Sequence, residues 1–415
     1  MRILMMTPYC YPEQISSSHL TEDLYEAFSQ NGIEVINYVP TPTRGVDKVV
    51  RNKYKRIKYE ERHNGAIKIH RFPMFKEGKN PLFRAIRYVL VNVIQYFKGI
   101  NAKEVDVVYG ASTPPTQGVL CALVAKKLSR KYHRKVPFVY CLQDIFPDSL
   151  VNAKMTKKGS VIWKIGRKIE NYTYKSASKI IVISESFKKN IIEKGVSEKK
   201  IVVIPNWIDT NSVYPIDRKD NVLFDRYNLD RSKFYICYSG NIGHSQNLGL
   251  LYKAAIRLQK EMPDVCFVLI GEGAAKEKFE TKIKEKGLTN IILLPFQPYE
   301  DIAHVFSLGD VGLIISKPGV GNSSVPSKTW SIMAAGRPII ASFDKNTELS
   351  MIIDSVSCGV MTSTSDHNKL ANDIMKIKNS QRLAELGNRG RKHVCNNLSK
   401  EICTRKYIGV LDKII

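Results

Sequence analysis

Short apolar runs rich in β-branched residues alternate with stretches of helical period along almost the whole chain of 415 residues. In the first half, runs at 2–7 (RILMMT), 34–39 (EVINYV), 105–109 (VDVVY), 137–142 (PFVYCL), 179–183 (KIIVI) and 200–204 (KIVVI) predict strands. Helices are predicted at 19–31, 118–132, 160–177 and 185–194. After a polar stretch at 209–233, a second series predicts strands at 234–239, 265–270, 290–294, 311–315 and 338–342. Its helices fall at 247–261, 275–286, 299–308 and 327–335, and further helices fill 366–414. Runs this continuously apolar suit strands covered on both faces of a parallel sheet. Two such series joined by one linker predict an α/β chain of two doubly wound domains facing a central cleft. The domains are expected at 1–208 and 209–396, followed by a helix in 397–415. Ligands of such sheets bind at the carboxyl ends of the strands, so chemistry is expected in the loops that follow them.

Two segments depart from this pattern. Residues 51–71 (RNKYKRIKYEERHNGAIKIHR) are rich in Lys and Arg and read as a basic hairpin or an irregular excursion. Residues 83–98 (FRAIRYVLVNVIQYFK) carry apolar side chains at helical spacing, with Arg84, Arg87 and Lys98 towards the ends. They fit either a core-facing helix or a helix lying at a lipid interface.

Composition narrows the class. Hydrophobic residues at 43% and charged residues at 25% are ordinary for a globular chain. The eight cysteines form no CxxC and no zinc spacing. Cys141, Cys237 and Cys266 sit inside apolar runs and read as reduced core thiols of a cytoplasmic protein. No apolar run reaches the roughly 18 residues of a membrane span. Pro8 comes too early for Met1–Cys10 to be a signal peptide, so this segment is expected to open a domain as a strand. The net charge is +25, of which residues 1–200 hold +19 and residues 201–415 only +6. A basic first half predicts that this half alone meets an anionic surface or ligand. Charge by itself also admits a nucleic-acid binder, but Tyr54 and Tyr59 are a thin supply of stacking aromatics in the basic stretches, and no nucleic-acid partner is expected.

Six strand-end loops are candidate sites. Gly240-Asn241-Ile242-Gly243-His244-Ser245-Gln246 lies between a strand and a helix, where glycines let a phosphate approach backbone N–H groups. A plain tight turn is the alternative. Gly271-Glu272-Gly273 suggests a cramped loop. Ser316 to Lys328 offers Gly319, Gly321, Asn322, Ser323, Ser324 and Ser327, then Pro326 and Lys328 at a helix start. A lysine there opposes the helix dipole and makes most sense beside a bound anion. In the first half, Ser16, Ser17, Ser18 and His19 precede a helix, as capping residues or as acceptor contacts. Ser112 and Thr113, with Gln143 and Asp144, end two other strands. There is no Asp-x-Asp, no GxxxxGK[ST] loop, no HExxH and no GxSxG elbow, and no metal or other cofactor is expected.

These motifs together resemble family 4 glycosyltransferases, a retaining group of GT-B fold, over nearly the whole chain. The resemblance rests on Ile181-Val182-Ile183-Ser184-Glu185, on Pro205-Asn206-Trp207-Ile208-Asp209, and on Gly271-Glu272-Gly273 with Pro295-Phe296. It rests also on Pro326-Ser327-Lys328 and on Met333-Ala334-Ala335-Gly336-Arg337-Pro338. Tyr11-Pro12-Glu13-Gln14 and Gln143-Asp144-Ile145-Phe146-Pro147-Asp148 resemble enzymes of bacterial capsule and O-antigen assembly, N-acetyl-L-fucosamine transferases among them. The resemblance implies a UDP-sugar donor whose phosphates meet the Gly240 loop and whose base meets the backbone at Phe296. Sugar and phosphate would meet 319–324, and the final helix, in 397–415, resembles the family's segment that crosses back to the first domain. The family's two glutamates are Ser323 and Ser331 here, and its phosphate-binding Arg and Lys are Asn241 and Gln246. Lys328 is expected to supply the missing charge, with Asn241 and Ser331 as neutral donors and Asp144 and His19 beside the reacting acceptor. The implied acceptor is a lipid-linked pyrophosphoryl saccharide, reached from an anionic membrane surface at the inner face of the bacterial cytoplasmic membrane. A nucleotide-sugar epimerase of the same fold is the other enzymatic possibility.

Overall fold

The apolar runs form two sheets in a computed structural model that describes residues 1–13, 18–78, 80–152, 154–319 and 325–415. The first sheet contains β1 (Arg2–Met5), β2 (Glu34–Pro40), β3 (Tyr59–Arg62), β4 (Ile67–Phe72), β5 (Val107–Ala111), β6 (Phe138–Leu142), β7 (Lys179–Val182) and β8 (Ile201–Val203). Their spatial order is β3-β4-β2-β1-β5-β6-β7-β8, parallel except for β3. The second sheet contains β9 (Phe234–Ser239), β10 (Val265–Ile270), β11 (Ile291–Leu294), β12 (Val311–Ile315), β13 (Ile339–Ser342) and β14 (Gly359–Thr362). Its order is β11-β10-β9-β12-β13-β14, parallel throughout. Every residue of β6, β10 and β12 is buried, as expected of strands sandwiched between helices.

The chain divides into two compact units, Met1–Asn206 with Cys403–Ile415, and Trp207–Ile402. The helix Lys400–Asp412 therefore ends inside the first unit. There the buried Tyr407 hydroxyl lies 3.2 Å from Cys141 Sγ on β6, and its ring lies 6.5 Å from that of Tyr109 on β5.

The basic stretch at 51–71 is not an excursion. It opens with the helix Lys48–Arg56, capped by Asp47, whose carboxylate accepts the Val50 N–H at 2.7 Å. That helix buries none of its residues. It is tied down by the Arg51 guanidinium, which donates to the carbonyls of Pro42 and Met74. The hairpin β3–β4 follows, and β4 is integral to the sheet, pairing with β2 from Val35↔Ile67 to Pro40↔Phe72.

The helix Pro81–Ile100 is the larger departure. Its apolar stripe does not face the core. The buried positions are Arg87, Val91, Gln95 and Gly99, four residues apart, while Phe83, Ile86, Val89, Leu90, Val93 and Phe97 are exposed. Gln95 is buried because its amide donates to the carbonyls of Thr7 (3.0 Å) and Tyr38 (2.7 Å), capping backbone oxygens beyond β1 and within β2.

In each sheet the strand order reverses beside the first strand of its series, between β1 and β5 and between β9 and β12. The β9–β12 ladder is short, with Val311↔Ile236 and Gly312↔Cys237 in register. Such reversals leave a crevice at the carboxyl ends of the strands. Both candidate regions of the sequence lie at these points.

Candidate functional site

In the second unit the crevice is bounded by the loop after β9 and the segment after β12. Lys328 opens a helix of seven residues, Lys328–Ala334. Its Nζ stands 3.6 Å above the centroid of the Tyr238 ring, at the end of β9. It also lies against the backbone of Gly240, where a Cβ would come within 3.0 Å of it. Among the described residues no hydrogen bond or ion pair reaches this Nζ, and the ring face is its electrostatic neighbour. Burial pushes the Lys328 ammonium down to about 7, with the Cys237 thiol acting in the opposite direction. An unpaired lysine in this setting gains its charge when an anion arrives. The Tyr238 hydroxyl donates to the Asn241 carbonyl at 2.7 Å and so holds the loop in shape. Tyr238 is the contributor that the sequence pattern hid, because it reads as one more core residue of FYICYS.

The loops themselves are built by backbone contact. Gly240 has φ +134° and Gly271 φ +146°, and a Cβ on Gly271 would meet the Gly240 carbonyl oxygen at 2.1 Å. Ile242 N–H donates to the Glu272 carbonyl at 2.8 Å, which locks the two loops together. Gly271→Ala combines a disfavoured φ with a backbone collision. We expect it to cost about 3 kcal/mol and to lower Tm by roughly 6–12 °C in thermal unfolding. An unchanged Tm would mean that the loop pair can separate freely.

The other expected donor residues are placed as follows. Asn241 is exposed. Gln246 turns inward, its Oε1 accepting the Gly243 N–H (3.0 Å) and the Ser245 hydroxyl (3.2 Å). The Glu272 carboxylate is exposed and paired with Lys276 at 2.7 Å. Phe296 is 75% exposed after β11. Gly319 donates its N–H to Asp344 Oδ1 at 3.0 Å. Ser327 is exposed before the helix, and Ser331 is buried within it. Gly321, Asn322, Ser323 and Ser324 lie outside the described residues, as do Ser16 and Ser17. Two buried hydroxyls that sequence reasoning missed, Ser316 Oγ after β12 and Thr329 Oγ1 beside Lys328, have no hydrogen-bond partner among the described residues. Two unused hydroxyls and a lysine suit an oxygen-rich anion.

In the first unit, the Ser112 hydroxyl accepts the N–H groups of Gln143 (3.0 Å) and Asp144 (3.1 Å), joining the ends of β5 and β6. Gln143 Oε1 accepts from Asn206 at 2.9 Å, and Thr113 is exposed. Ser18 donates to the Glu13 carbonyl at 2.8 Å. His19 keeps an exposed face, and desolvation lowers its pKa. Asp144 is exposed as well. Desolvation raises its carboxyl above the usual range, against hydrogen bonds from Ser149 and from the Ile145 N–H. His19 and Asp144 thus remain available to a ligand, whereas Ser112 and Gln143 hold loops. Among the described residues, no three His, Cys, Asp or Glu come together in a way that could hold a metal ion.

Residues 18–212 match the model of the family described as Glycosyltransferase Family 4, and residues 220–393 match that of Glycosyl transferases group 1. The chain is 25% identical over 361 residues to the colanic acid biosynthesis glycosyl transferase WcaI of Escherichia coli K12, covering 86% of each chain. It is 27% identical over 315 residues to the glycosyltransferase WbjE of Pseudomonas aeruginosa, covering 76% of each. Among solved structures, Anabaena HepE in complex with UDP superposes with a TM-score of 0.71 at 16% identity over the full length of both chains. Sucrose-phosphate synthase of Thermosynechococcus elongatus gives 0.71 at 17% identity over all of this chain and 98% of that one. Both likenesses establish a GT-B architecture.

Proposed function

Since the chain belongs to the family 4 glycosyltransferases, we propose that it moves a sugar from a UDP-sugar to a polyprenyl-pyrophosphate-linked saccharide in bacterial surface polysaccharide synthesis. The sugar is N-acetyl-L-fucosamine or a related amino sugar, and the anomeric configuration is retained. The observation that carries this reading is the Lys328 ammonium, unpaired among the described residues, against Gly240 at the strand-order reversal of the second sheet. A leaving diphosphate builds negative charge as the glycosidic bond breaks, and a fixed cation aimed there lowers the barrier. Lys328 supplies this charge without a metal ion, and Ser316 and Thr329 add neutral donors. With no carboxylate pair to act as nucleophile and acid, the departing phosphate takes the acceptor proton. The protein's remaining task is alignment. HepE, which shares the fold, was solved with UDP bound, and this supports the choice of nucleotide.

The first unit suits an acceptor at a membrane surface. No helix among the described residues is long and apolar enough to cross a bilayer. Phe83, Ile86, Val89, Leu90, Val93 and Phe97 nevertheless present a continuous apolar stripe, flanked by the basic half of the chain. Covering each half-exposed side chain with lipid gains about 1 kcal/mol, and anionic headgroups attract the flanking cations. The protein is then peripheral on the inner face of the cytoplasmic membrane.

The test is to incubate the protein with a panel of UDP- and GDP-sugars, with and without a short polyprenyl-pyrophosphoryl saccharide. One UDP-sugar is expected to be consumed only when acceptor is present, with chelator added, and to give a product of retained configuration by NMR. Conversion of the donor alone would identify an epimerase instead.

A further inference from the structure

The segments beyond the carboxyl ends of β1, β2 and β4, at the ligand-binding edge of the first sheet, gather an excess of positive charge around one buried carboxylate. The Glu77 carboxylate, 5% exposed, accepts from Arg44 Nη2 at 2.6 Å and from the Tyr9 hydroxyl at 2.9 Å, and pairs by charge with Arg84, whose Nε lies 3.0 Å away without making a hydrogen bond. A third guanidinium, Arg87, is fully buried with Nη1 3.6 Å from the same carboxylate, outside hydrogen-bond range. Arg87 Nε donates to the Phe75 carbonyl at 3.2 Å, but neither Nη1 nor Nη2 has a hydrogen-bond partner among the described residues. A buried charged group with two unused donor nitrogens is costly and rare. Arg51 adds to the excess, since burial and the neighbouring Arg87 both depress its pKa. The other buried carboxylate nearby, Glu13, is already engaged by the N–H groups of Cys10, Thr43 and Arg44. The segment Pro73–Phe75, which supplies carbonyls to Arg51 and Arg87, also lines a cavity of about 450 Å³ with Thr41 and Lys55.

We propose that Arg44, Arg84 and Arg87 form the site that holds the pyrophosphate of the acceptor; this rests on the acceptor class given under the proposed function. Four guanidinium groups, Arg51 included, against the Glu77 and Glu13 carboxylates leave two positive charges, the complement of the two negative charges on a diphosphate diester. Planar guanidiniums match phosphate oxygens in pairs. Arg44 and Arg84 keep 37% and 41% of their side chains exposed, so a ligand can reach them. The helix Pro81–Ile100 carries Arg84 and Arg87 in the same turns as Phe83, Ile86 and Leu90. An isoprenoid chain leaving the pyrophosphate would therefore meet the exposed apolar stripe.

The test uses the full chain with saturating UDP, so that the nucleotide site is filled, and titrates geranyl pyrophosphate or inorganic pyrophosphate by calorimetry. Geranyl pyrophosphate is expected to bind more tightly than inorganic pyrophosphate. Arg44→Ala and Arg84→Ala are each expected to weaken both about tenfold with UDP affinity unchanged; Arg84→Ala leaves Tm unchanged, whereas Arg44→Ala, which takes a hydrogen-bonded partner from a buried carboxylate, lowers it. Because Arg87 is fully buried, these two exposed partners carry the test, and Arg87→Lys is added to ask whether the planar fork matters. Affinities unmoved in the Arg44→Ala/Arg84→Ala double variant overturn the site. Inorganic pyrophosphate binding as tightly as the geranyl ester overturns its assignment to a lipid-linked acceptor. Donor consumption is measured separately, so its loss with pyrophosphate binding intact counts against the transferase reading and not against this one.

Discussion

Lys328→Ala is expected to lower turnover by about 10²–10³-fold, the usual effect of removing one preorganised group that stabilises developing charge. The same substitution should abolish a pH dependence that the wild type displays. In the free protein the ammonium has been pushed down to about 7, chiefly by burial. A diphosphate beside it favours the charged form and raises that value. Binding above pH 7 therefore takes up a proton, and affinity for UDP should fall about tenfold per pH unit above that point until the bound-state value is reached. Calorimetry at pH 8 in buffers of different ionisation enthalpy should detect close to one proton taken up by wild type and none by Lys328→Ala. The sign for stability agrees with this. A lysine whose folded pKa lies below its unfolded one is destabilising in full below pH 7, and progressively less so as pH rises towards the ordinary lysine value. A variant that keeps wild-type turnover and the same pH profile would remove Lys328 from the mechanism.

Replacing Leu90 and Phe97 with aspartate should release the protein from membranes. Both side chains are exposed, 42% and 59%, so the fold and its Tm should be unaffected. Each replacement removes apolar area worth about 1 kcal/mol and sets a negative charge against anionic lipid, costing about 1 kcal/mol more. Together they should weaken binding to phosphatidylglycerol-containing vesicles by about 10²–10³-fold in sedimentation. Wild-type binding should weaken as salt is raised, because the flanking cations act through a screened field. Sedimentation that ignores both the aspartates and the anionic lipid would show that the stripe is covered by something other than a bilayer.

The strands were readable wherever a run was apolar throughout, as in VCFVLI of β10, because a strand covered on both faces has no polar position to confuse the period. β14 was missed for the opposite reason. It begins at Gly359, where a Cβ would meet the Ile339 carbonyl oxygen at 2.2 Å, and it is only four residues long. In Pro81–Ile100 the period was right, but periodicity states only that a helix has two faces. The buried face is the one that holds Arg87 and Gln95, and what selects it is a need for donors at Thr7, Tyr38 and Phe75. Polar loop residues were ambiguous in a similar way. Ser112, Gln143 and Gln246 look like ligand contacts in sequence, yet they satisfy buried loop amides or side chains, which any fold must do before it binds anything. Lys328 was legible because nothing in helix formation asks for a cation at a first turn. Tyr238 was not, since an aromatic on a buried strand has a sufficient structural use.

The first unit is closed by Cys403–Ile415, with Tyr407 seated against Cys141 and Tyr109. During synthesis these residues follow all of Trp207–Ile402. The amino-terminal lobe thus waits, with the Tyr407 seat uncovered, while its neighbour is translated and can fold as a unit. A chain that breaks off before Cys403 leaves its leading part unsealed, so this short segment acts as a check that translation has passed the whole of the second unit.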